Sequence, residues 1–85
     1  MWKIDLHTID KCQAVADLCN SFKDIDVDLV YGRYLVDAKS LMGVLSLLNH
    51  KVGIVIHHHD RFDCLRHFES EIKKLGAWRE ARNEG

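Results

Sequence analysis

The chain has 85 residues, 47% of them apolar and 29% charged, with a formal net charge of −1, which bounds it to one small globular domain. The near balance of charge, with Lys39, Lys51, Lys73 and Lys74 scattered, excludes the basic face expected of a nucleic-acid binder. No apolar run has the length of a membrane span, and Lys3 and Asp5 interrupt the opening apolar stretch where a signal peptide would not, so a cytoplasmic protein is the expectation.

Trp2, Ile4 and Leu6 alternate with Lys3 and Asp5, which predicts a half-buried strand over residues 2–6. Val15, Leu18, Cys19 and Phe22 recur at helical spacing, predicting a helix over 10–22 with Thr8 or Asp10 as its N-cap. Ile25, Val27, Leu29 and Tyr31 alternate with Asp26, Asp28 and Val30. Gly32-Arg33 reads as a tight turn and Tyr34-Leu35-Val36 as the returning strand, so residues 25–36 are a β-hairpin. Asp37 then reads as the cap of a short apolar helix over 38–49 that presents Leu41, Val44, Leu45 and Leu48. Gly53 to His58 is a fourth strand. Asp60 caps a last helix, whose apolar stripe is Phe62, Leu65, Phe68, Ile72 and Leu75, and Gly76 stops it.

The order is β-α-β-β-α-β-α. Each helix has one stripe to bury and the hairpin strands pair antiparallel, so the expected architecture is an α+β open-faced two-layer sandwich: a four-stranded antiparallel sheet with three helices on one face. The domain is expected over residues 1–76, with 77–85 as a C-terminal tail. Cys12, Cys19 and Cys64 are odd in number and contain no C-x-x-C pair, and they read as reduced, core-facing residues.

The segment Val36-Asp37-Ala38-Lys39-Ser40-Leu41-Met42-Gly43-Val44-Leu45-Ser46-Leu47 resembles the second signature of the HPr family, the phosphocarrier proteins of the phosphoenolpyruvate-dependent sugar phosphotransferase system. That signature is a strand, then Lys-Ser, then a short Met-Gly-containing apolar helix, and it stands between the third and fourth strands as it does here. The element order from Trp2 to Leu75 also agrees. The resemblance implies a sheet order of 1-4-2-3. It implies that Ser40 is the serine modified by a dedicated HPr kinase, and that Lys39, Leu41, Met42 and Leu45 dock partner proteins.

The family's other signature is absent. The phosphorylated histidine of an HPr lies in an H-x-R-P motif, and this chain has no proline. Leu6-His7-Thr8 echoes the opening of that motif, but Ile9 and Asp10 stand where arginine and proline belong. The resemblance therefore implies a regulatory protein that works through contacts with phosphotransferase-system proteins or a carbon-regulation partner, switched at Ser40. A phosphocarrier using His7 is the alternative.

Ser40 also has a reading of its own: a phosphate near a helix start meets unpaired N–H groups, and Lys39 adds a positive charge. His57-His58-His59-Asp60 supports a third reading. His57 and His59 share one strand face as a chelating pair would, which makes a small metal-binding protein the alternative from another class. Asp24, Asp26 and Asp28 read as the solvent face of the hairpin. No cofactor is implied.

Overall fold

The computed structural model describes residues 1–58 and 62–80. It holds eight elements: β1 (Trp2–Asp5), α1 (Ile9–Ser21), β2 (Ile25–Tyr31), β3 (Tyr34–Asp37), α2 (Leu41–Leu45), β4 (Lys51–His58), α3 (Phe62–Lys74) and β5 (Trp78–Arg79). One antiparallel sheet carries all five strands in the order β3-β2-β4-β1-β5. Its first four strands thus lie in the order 1-4-2-3.

Strand register explains why alternation is the dominant pattern in the sequence. Trp2 pairs with Ile54, Ile4 with Val52 and Leu29 with Ile54, so these side chains share one face. That face is buried together with Ile25 and Val27, and the helices cover it with Cys12, Val15, Ala16 and Cys19 from α1, Val44 from α2, and Phe68 and Ile72 from α3. Full burial of a side chain the size of Phe68 contributes about 1.5–3 kcal/mol. The opposite face carries Lys3, Asp5, Asp26, Asp28, Val55 and His57, none of them fully buried. Gly53 lies there beneath Met1: a Cβ at that position would stand 2.5 Å from the Met1 sulfur.

Local signals account for most element ends. The Thr8 hydroxyl accepts the Lys11 N–H at 3.0 Å and starts α1. Gly32, at φ 59, fills the first central position of the two-residue hairpin turn, where an L side chain is disfavoured. At the end of α3, Gly76 at φ 101 lets its own N–H reach the Lys73 carbonyl while the Ala77 N–H reaches Ile72, the paired bonds of a Schellman cap.

Four expectations need correction. The sheet has five strands, not four. The fifth is Trp78–Arg79, expected in a tail over 77–85, and it pairs with Trp2 and Lys3. β4 begins at Lys51, two residues early, because Asp5 pairs with Lys51. The helix expected over 38–49 is only Leu41–Leu45, and Asp37 is not its cap. Asp37 stays in β3 and its carboxylate accepts the Lys39 N–H at 2.9 Å, which turns the chain before Ser40 caps the helix. Beyond Leu45 the backbone continues in tighter i→i+3 turns through His50, so the apolar spacing persists without α-helical bonds. The Asp60 cap lies outside the described residues.

Candidate functional site

The surface built around α2 is the strongest candidate site. The Ser40 oxygen accepts the Gly43 N–H at 3.2 Å, so this serine is the helix N-cap itself, not a residue inside the first turn. Ser40 is exposed. Among the described residues no carboxylate or imidazole is hydrogen-bonded to its hydroxyl, so it has no built-in base and would act as an acceptor only for an external enzyme.

The loop that presents Ser40 is held from two sides. Asn20 of α1 donates to the Lys39 carbonyl at 2.8 Å and to Ala16 one turn earlier in its own helix. Gly43 lets α2 lie close on β3: a Cβ there would approach that of Val36 to 3.3 Å. Asn20 escapes a reading of the sequence, since a polar residue late in a helix carries no signal for a contact 19 positions away.

The four candidate docking residues divide. Met42 is 79% exposed and stands beside Ser40. Leu41 and Leu45 are half-buried and pack against the core from its edge, while Val44 faces fully inward. Lys39 differs from expectation: its ammonium lies 3.6 Å from the Asp26 carboxylate, across the hairpin, and is not directed to Ser40. The sequence reading gave Lys39 and Ser40 a shared role through adjacency alone, and register gives Lys39 a different neighbour.

His7 is exposed between β1 and α1, immediately before the Thr8 cap. Its Nδ1 lies 3.2 Å from the Asp5 carbonyl and 4.0 Å from the Asp5 carboxylate. Asp10 is in the first turn of the helix that follows. The surroundings of His7 are therefore acidic, opposite to what a phosphoryl group needs.

His57 and the acidic residues meet on the open face of the sheet. The His57 Nε2 lies 3.0 Å from an Asp28 carboxylate oxygen, a diagonal contact on the β2–β4 ladder, where Asp26 stands directly opposite His57. His59 lies outside the described residues, so the expected His57–His59 pair is not described. Among the described residues no three His, Cys, Asp or Glu side chains gather as metal ligands. Cys12 and Cys19 are buried, Cys64 is half-buried, and all three are free. Among the described residues no helix is long and apolar enough to cross a membrane.

Comparison with protein-family models, with curated proteins and with solved structures finds no match to this chain.

Proposed function

We propose that this chain is an HPr-like protein related to the sugar phosphotransferase system, cytoplasmic, and regulatory in action, without a working histidine carrier site. It acts by docking other proteins through α2, and phosphorylation of Ser40 by an HPr kinase switches that docking. One observation carries the reading: an exposed serine caps a short helix whose next turn exposes Met42 at 79%, on the segment that carries the family's Lys-Ser signature. The 1-4-2-3 order of the first four strands agrees with the same kinship.

The physical consequence of modification follows from the neighbours. A phosphate adds roughly −1.5 to −2 charges. It would stand next to the apolar Met42 and compete with Asp26 for Lys39, turning an apolar rim into an anionic one. The cap bond to Gly43 survives, because phosphate oxygens accept it at least as well.

The test uses the full chain with HPr kinase and ATP. Label is expected on the protein and absent from the Ser40→Ala variant. Parallel incubation with enzyme I and phosphoenolpyruvate is expected to give no acid-labile label. An unlabelled protein in the first reaction removes the switch. Enzyme I-dependent label that disappears in His7→Ala replaces the regulatory reading with the carrier.

A further inference from the structure

We infer that β3 is a self-pairing edge through which two copies of this chain associate, forming one antiparallel sheet across a two-fold axis at Leu35. The sheet has two edges. One is β5, only two residues long, and the other is β3, which runs Tyr34-Leu35-Val36-Asp37 with β2 on one side and, among the described residues, no strand on the other. Native edges are usually guarded by shortness, charge, proline or a bulge; β3 is short, but it has no lysine, proline or bulge, and its one charge, Asp37, stands at its end. It instead exposes two large apolar side chains, Tyr34 at 69% and Leu35 at 63%, one toward each face of the sheet.

The hairpin decides which backbone groups are open. Tyr31 pairs with Tyr34 across a two-residue turn, so these two residues exchange their N–H and C=O groups, and every second pair along the ladder does the same. The Ala38 N–H bond to the Val27 carbonyl at 2.9 Å, four residues along, has the same parity. Tyr34 and Val36 therefore spend their backbone groups on β2, and the Leu35 N–H and C=O point outward.

A second copy meets this edge best in one register. A two-fold axis normal to the sheet sets Leu35 against the partner copy's Leu35 as a pair that exchanges two backbone bonds. Tyr34 then faces Val36 across the seam, and Arg33 faces Asp37, twice over by symmetry. Shifting the axis to Val36 sets Leu35 against Asp37, and shifting it to Tyr34 sets Arg33 against Leu35. Only the Leu35 axis matches apolar with apolar and cation with anion. Continuity on the open face agrees: Leu35 pairs with Val30, and Val30 pairs with Gly53 beneath Met1, so the seam extends an existing apolar row.

Sedimentation velocity from about 10 μM to about 1 mM tests the association. The mass is expected to rise with concentration from 9.8 kDa toward twice that value. Leu35→Lys opposes two ammonium groups at the axis, and Arg33→Glu opposes each new carboxylate to Asp37. Both positions are exposed, so the circular dichroism of each variant should match the parent, and each should raise the dissociation constant tenfold or more. Amide exchange reads the register directly: the Leu35 N–H should become protected as concentration rises, while Tyr34 and Val36 are protected throughout. A chain that sediments as a monomer over the whole range overturns the inference. So does a dimer that survives both variants, or one that leaves Leu35 exchange unchanged. None of these outcomes depends on whether Ser40 is modified.

Discussion

Cys12 and Cys19 sit two turns apart on α1, and both are buried in the core. Burial pushes the Cys19 thiol up to about 12, with Lys39 opposing the rise and Asp37 adding to it. Burial also raises Cys12, against a backbone hydrogen bond that lowers it. The stability consequence has a definite sign. In the unfolded chain these thiols ionise near about 8.5, whereas the folded chain keeps them protonated. The Cys19 contribution is complete below that pH and declines as pH rises from about 9 toward 12. Urea midpoints at pH 8 and pH 10.5 should differ, with the higher pH less stable, and Cys19→Ala should flatten the difference while lowering both values. A midpoint that stays level across that range contradicts the buried, neutral thiol. The same argument orders reactivity in the native protein: half-buried Cys64 reacts with a thiol reagent before either residue of α1.

At the scale of elements, the ends matter as much as the interiors. The α3 stop depends on Gly76 at φ 101, a conformation that L side chains rarely adopt, and its Cβ would also approach the Lys11 ammonium to 3.4 Å. That ammonium is already bonded to the Leu75 carbonyl. Gly76→Ala is expected to cost about 1–2 kcal/mol, readable as a lower denaturant midpoint at unchanged slope. An unchanged midpoint would mean that the helix can end elsewhere. Strands whose two faces differ were legible in the sequence, because Ile4, Val27 or Leu29 must alternate with Lys3, Asp26 or Asp28. Amphipathic helices of three turns were equally legible. The helix at 41–45 was over-read because Leu47 and Leu48 keep helical spacing while their backbone bonds tighten to i→i+3. β5 was missed because two residues carry no period, and its pairing with β1 spans most of the chain. The candidate site follows the same rule. That Ser40 stands at a helix start could be read locally, although the cap was assigned to Asp37, whereas the Lys39–Asp26 ion pair and the His57–Asp28 contact required strand register.

The whole molecule is a sheet with one greasy side and one mixed side, and each end of it is treated differently. Toward β5 the chain is fastened: the Glu80 N–H bonds to the Met1 carbonyl at 3.0 Å, and Lys3 pairs with Glu80 at 3.5 Å. Toward β3 no further strand follows among the described residues, which is where a second copy would add. The fastening at β5 also places the two tryptophans back to back. Trp2 lies under the helices, its indole N–H bonded to Glu69 at 3.0 Å and the Arg79 guanidinium 5.6 Å above its ring. Trp78, cross-strand from Lys3, lies on the other side and is 39% exposed. The two chromophores of this chain therefore report different environments although they are neighbours in space. Emission should resolve into a blue-shifted part that acrylamide barely touches and a red-shifted part that it quenches readily, and Trp78→Phe should remove only the second. A dye-free optical assay thus comes with the fold, able to tell the detachment of the last strand from the collapse of the interior.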